Sequence, residues 1–169
     1  MDDHRVAELI REIYAQLRQQ ASRDSARAHL EISPTSVVHE TVLRLYRQAP
    51  DRWTDERHFR ATAAIALKQV LIDHLRKLRA DKRAPEAERD PTADPPGSGS
   101  QHDVVLVAQV LEALDEEDPR AGRVAALKLL GELENQEIAD ALGISRATVD
   151  RDWKAARALL AAWRAEAGG

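Results

Sequence analysis

The chain has no cysteine, which removes disulfide frameworks and thiolate metal sites together. Aromatic residues are only 4%, and Ala, Leu, Arg and Glu dominate, a mixture of good helix formers poor in strand formers. An all-α protein is expected. No stretch approaches the roughly 20 apolar residues that span a bilayer. The opening "MDDHRVAELIREIYAQL" is acidic and then alternates apolar with charged residues, unlike the basic start and unbroken apolar run of a signal peptide. No membrane insertion and a cytoplasmic home are therefore expected.

Motifs for catalysis are missing too. There is no glycine-rich phosphate loop and no Gly-x-Ser-x-Gly elbow. "HETVL" at 39–43 begins like a zinc-protease motif, but the second histidine would fall at position 43, which is Leu43. His4, His29, His39, His58, His74 and His102 are scattered along the chain. No enzyme activity, no cofactor and no metal are expected.

What is present is segregated charge. The net charge of −4 speaks against nucleic acid only as an average. Residues 76–83, "RKLRADKR", carry five basic side chains and one acidic, whereas 112–118, "EALDEED", carry five acids and no base. The stretch 84–102, "APEAERDPTADPPGSGSQH", holds four of seven prolines and no Leu, Ile, Val or aromatic residue. It has no face to bury and reads as a flexible acidic linker of roughly 25 Å r.m.s. span. Two small helical domains follow, 1–83 and 103–169.

In the first, Val6, Leu9, Ile10, Ile13 and Leu17 recur at helical spacing. A second helix is capped by Thr35 or Ser36, lined by Val38, Val42, Leu45 and Tyr46, and stopped by Pro50. A third runs from about His58 to Ala80, with Phe59, Ala63, Ala66, Leu67, Val70, Leu71, Leu75 and Leu78 facing inward. In the second domain Val104, Val107, Ala108, Leu111 and Leu114 mark a helix, and Pro119 suits the first turn of another.

The stretch 135–153, "NQEIADALGISRATVDRDW", is the most informative. Ile138, Ala139 and Leu142 line a short helix, Gly143 fits a positive-φ turn, and Ser145 caps a final helix that buries Val149, Trp153, Ala156, Leu160 and Trp163. This is the pattern of a helix-turn-helix, with Arg146, Asp150, Arg151, Lys154 and Arg157 on the outward side, where arginine can grip guanine in a major groove. The basic run 76–83 then reads as a second DNA contact.

The order of these parts resembles the bacterial sigma factors, specifically the extracytoplasmic-function (ECF) group. "PTSVVHETVLRLYR" at 34–47 resembles region 2.2, "FRATAAIALKQVLIDHLRKLRADKR" at 59–83 resembles regions 2.3 and 2.4, and 119–160 resembles region 4. Asp73 and His74 match the Asp-His pair of an ECF-like branch, and Arg76 follows three residues after the Asp. The chain departs from many members in beginning region 2.2 with Pro34, Thr35 and Ser36 rather than an acid, and in carrying Gln69 where an Asn stands.

The resemblance implies an alternative sigma factor that binds core RNA polymerase through its β′ clamp helices and β flap and reads promoter DNA. An anti-sigma factor or other inhibitory partner belongs to the same picture. Val38, His39, Glu40, Leu43, Arg44 and Arg47 become the polymerase-facing candidates. Trp53, Phe59, Arg60, Lys68, Gln69, Asp73, Arg76, Arg79, Lys82 and Arg83 become those for the −10 element, with Trp53 or Phe59 stacking a flipped base. Ser145, Arg146, Thr148, Asp150, Arg151, Lys154 and Arg157 become those for the −35 element. Two other classes fit the same residues: a stand-alone helix-turn-helix regulator that binds duplex DNA without polymerase, and an interaction protein whose helix-turn-helix no longer touches DNA.

Overall fold

The computed structural model describes residues 3–21, 32, 34–47, 53–83 and 101–168; the side chains of 16–21, 34–35, 101–103 and 167–168 fall outside the description. Among the described residues there are seven helices and no strand, as expected for an all-α chain. None of these helices is long and apolar enough to cross a membrane.

Helix α1 (Asp3–Ala21) buries Val6, Leu9, Ile10 and Ile13, the expected stripe, together with Tyr14. Leu17, expected on the same face, lies outside the described side chains. Helix α2 (Pro34–Arg47) starts one residue before the expected cap: Pro34, whose missing N–H is no loss in a first turn, opens it, so Thr35 and Ser36 lie inside the helix. Val37 and Leu45 are buried, and Val38 and Val42 pack against the core half-exposed. Thr41 is buried mid-helix because its hydroxyl donates to the Val37 carbonyl at 2.7 Å.

Helix α3 (Glu56–Arg83) is longer than expected at both ends. The Asp55 carboxylate accepts from the His58 N–H at 2.8 Å, satisfying one of the free donors of its first turn. Phe59, Ala63, Ala66, Leu67, Val70, Leu71 and Leu75 are buried as expected and Leu78 is partly so, but Lys68 is buried with them.

Helix α4 (Gln101–Glu117) takes Gln101 and His102 out of the expected linker; the rest of that linker lies outside the described residues. The expected stripe of α4 is buried, and so are Val105, Leu106 and Val110 on its other sides. A helix apolar all round must be covered all round. The chain does this by placing α4 between α1 and α3 on one hand and α5 (Pro119–Leu129) and α7 (Arg146–Gly168) on the other. The sequence halves on either side of 84–100 therefore share one hydrophobic core.

The junctions are close. A Cβ on Gly131, in the turn after α5, would stand 3.2 Å from the Ala64 Cβ of α3 and 2.9 Å from the Leu127 carbonyl oxygen. Helix α5 opens as its sequence promises: Asp118 accepts from the Arg120 N–H at 2.9 Å and Pro119 fills the first turn.

Candidate nucleic-acid and polymerase interfaces

The helix-turn-helix is built by α6 (Asn135–Leu142) and α7. Its turn depends on Gly143, which adopts φ 63° and ψ 36°, the left-handed conformation that an L side chain resists. The Ile144 N–H reaches the Ala139 carbonyl at 3.0 Å, closing the end of α6. Ser145 caps α7: its hydroxyl accepts from the Thr148 N–H at 3.1 Å and lies 2.9 Å from the Thr148 hydroxyl. Ile138, Ala139, Val149, Ala156 and Leu160 are buried. Leu142, Trp153 and Trp163, expected in the core, are only partly covered, since they pack at its rim.

Arg146, Asp150, Arg151, Lys154 and Arg157 are all exposed, as is Ser145; Thr148 is half-buried. Two anchors aim this face. Asp150 accepts from the Asn135 amide at 2.5 Å, tying α7 to the first residue of α6. Arg120 of α5 donates to the buried Asp152 at 2.7 Å and to Asp118 at 2.9 Å, and the hydrogen bond to Asp152 holds its guanidinium above its ordinary pKa. This buried acid, one residue from Arg151, escaped the sequence reading; its signal is an Asp among the apolar residues of the inward face.

On α2, His39, Leu43 and Arg47 are exposed and Val38, Glu40 and Arg44 half-exposed. Leu43, 43% exposed, is the one large hydrophobic residue exposed to that degree among the described residues. Glu40 and Arg44 are not free charges. Glu40 accepts from Arg44 at 2.8 Å and meets the His74 Nε2 at 2.9 Å, while Arg44 also donates to Asp73 at 2.5 Å. Partial burial pushes the Glu40 carboxyl up, but hydrogen bonds from His74 and Arg44, with their charges, outweigh it and hold the group below the usual range. Arg44 is raised, chiefly by its bond to Asp73. The Asp-His pair of α3 thus orients α2.

The −10 candidates fare differently from one another. Phe59 is fully buried and cannot stack a base; Trp53, half-buried, packs its ring edge-to-face on Phe59 with centroids 5.0 Å apart at 86°. Arg60 bonds Glu56 at 3.1 Å, and Gln69, Lys82 and Arg83 are exposed. Lys68 is covered by α4 and pairs with Asp115. Arg76 and Arg79 both donate to Glu112, at 3.0 and 2.5 Å. Of the expected acidic run, Glu112 therefore lies on the expected basic one and Asp115 on Lys68 earlier in α3, because α4 packs along α3.

Among the described residues no group of histidines and acids is placed to hold a metal ion. No curated protein and no solved structure matches the chain. The model of one family, described as ECF sigma factor, matches residues 2–165. Sigma factors associate with RNA polymerase and direct promoter-specific initiation; they are DNA-binding transcription factors rather than enzymes. With nearly its whole length matched and a helix-turn-helix at its end, the chain belongs to the ECF sigma factor family.

Proposed function

We propose that the chain docks on the β′ clamp helices of core RNA polymerase through the α2 face of His39, Leu43 and Arg47, with Val38, Glu40 and Arg44 beside them, and contacts the β flap through its second half. Helix α3 holds the −10 element with Asp73, Arg76, Arg79, Lys82 and Arg83, whereas Lys68, covered by α4 and paired with Asp115, is not among them. Gln69 and Arg60 flank them, and Trp53 stacks the flipped base. Helix α7 reads the −35 element, with Arg146, Arg151, Lys154 and Arg157 reaching bases and phosphates. The acidic stretch 84–100 joins the two halves and follows the path of the nascent RNA.

The observation that supports this reading best is the exposed cationic row of α7, set on a glycine turn and a serine cap that leave the N-terminus of the helix open. Such an end favours phosphate and fits a major groove. The test is co-purification with core polymerase followed by run-off transcription from candidate promoters. Retention on core enzyme and promoter-dependent transcripts are expected. Tight duplex binding by the chain alone without any effect of polymerase would replace this reading by a stand-alone regulator, and no DNA binding even with polymerase by an interaction protein.

A further inference from the structure

The outward row of α7 carries one acid among its cations. Arg146, Asp150 and Lys154 stand four residues apart and so share one side of the helix, with Arg151 and Arg157 beside them. Against a DNA backbone an acid in this row is a disadvantage, since it repels the phosphates that its neighbours attract. Asp150 is nevertheless exposed, and among the described residues no ion pair ties it to Arg146 or Lys154. Its hydrogen bond runs to Asn135, the first residue of α6, whose Nδ2 donates to the carboxylate Oδ1 at 2.5 Å. The Oδ2 of Asp150 has no hydrogen bond among the described residues.

The Asn135 amide is fixed in this sense. Its own Oδ1 is buried without a hydrogen bond among the described residues, a costly position for an acceptor. Turning the amide over would aim that oxygen at the Asp150 carboxylate, acceptor against acceptor. The carboxylate is therefore pinned as the fifth residue of α7, in the N-terminal part of a recognition helix, where base edges are met. In the major groove guanine offers two acceptors, thymine an acceptor and a methyl group, and adenine an acceptor beside its amino group. Cytosine alone offers a donor with no acceptor, which is what an acceptor-only side chain matches.

We infer that Asp150 is a base-specifying residue of α7: its carboxylate accepts from the N4 amino group of a cytosine in the −35 element, and Asn135 is the positioning residue that holds the carboxylate there. The inference deepens the reading of α7 as the −35 helix and rests on it. The cations of the row attract any phosphate, whereas Asp150 discriminates, because guanine or thymine at that place sets an acceptor against a carboxylate.

In the experiment, holoenzyme reconstituted from core polymerase and the full chain binds a pool of candidate promoter duplexes randomised through the −35 element. Sequencing the bound fraction gives the base preference at each position. Wild type should enrich cytosine at one position, and Asp150→Ala should lower that enrichment by about tenfold or more while leaving the other positions as they were. Asp150→Asn keeps the shape of the side chain, and an amide pairs bidentately with adenine N6 and N7, so the preference at the same position should move from cytosine to adenine. Asn135→Ala should weaken the cytosine preference at that position alone, by a smaller factor.

An unchanged profile in Asp150→Ala overturns the inference. So does a uniform fall at every position, which would make Asp150 an acid that stabilises the first turns of its helix, and so does a lost preference for any base other than cytosine. Full cytosine preference in Asn135→Ala overturns the positioning role. Arg151→Ala in the same selection reads the underlying function separately. If it alters the profile while Asp150→Ala does not, α7 reads the −35 element without Asp150. If neither does, the assignment of α7 to DNA bases falls, and the inference with it.

Discussion

The ammonium of Lys68 and the carboxylate of Asp115, 47 residues apart in sequence, meet across the α3–α4 contact, the lysine buried and the aspartate half-buried. A buried charge is tolerable only while its partner is present. Asp115→Ala should therefore cost about 3 kcal/mol, and Lys68→Met combined with Asp115→Leu should recover most of it. Urea unfolding midpoints of the three proteins check this; equal midpoints for Asp115→Ala and wild type would mean that Lys68 reaches solvent.

Gly143 offers a cleaner measurement of backbone cost, because nothing lies within 4 Å of where its Cβ would stand. Gly143→Ala should lose about 1–2 kcal/mol from the left-handed conformation alone, and Gly143→Asn distinctly less, since Asn tolerates that region. Thermal unfolding of both variants gives the comparison. Equal losses would indicate a steric clash rather than a dihedral preference.

On the recognition face, Arg151→Ala and Lys154→Ala should leave folding unchanged, both side chains being exposed. Base preference at the −35 element should relax by about 1–3 kcal/mol for each side chain removed that hydrogen-bonds a base edge. Competition binding against single-base variants of the element reads this directly, and unaltered preference in both mutants assigns the face elsewhere.

Leu43→Ala should leave stability within about 0.5 kcal/mol, as expected of an exposed position, while reducing retention on core polymerase several-fold. Reversing Arg44 to Glu is a less specific probe, because Arg44 also binds Glu40 and Asp73, and the new carboxylate would repel both. Recovery of Leu43→Ala on core enzyme at wild-type yield would remove α2 from the docking surface.

The Glu40 carboxyl titrates below its unfolded value. Its contribution is therefore complete above the ordinary carboxylate pKa and is lost as pH falls through the lower folded one. With Glu40 partly exposed, the contribution should be only about 0.2–1 kcal/mol. Unfolding free energies of wild type and Glu40→Gln should differ at neutral pH and converge in acid; a gap that persists in acid would trace to packing.

What could be read from the chain beforehand was local. The turn at Gly143, the Ser145 cap and the buried stripe of α3 depend on neighbours three or four residues away, and the 3.6-residue period displays them. The mutual packing of the halves depends on pairs such as Lys68 with Asp115 and Ala64 with Gly131, which no local period contains. One local signal did exist. "VVLVAQVL" at 104–111 is apolar on all sides, and a helix of that kind needs more cover than two short neighbours supply. Phe59 carried two expectations, inward on α3 and stacked on a base, since an aromatic beside a candidate base trap reads the same whether it faces DNA or the core; its burial keeps only the first.

The all-round apolar character of α4 has a consequence for what happens if the chain is severed within 84–100. Neither fragment would keep its cover: the first would bare the flanks of α1 and α3, the second the side of α4 that lay on them. Two such pieces made together should reassemble without a covalent connection, while each made alone should tend to clump.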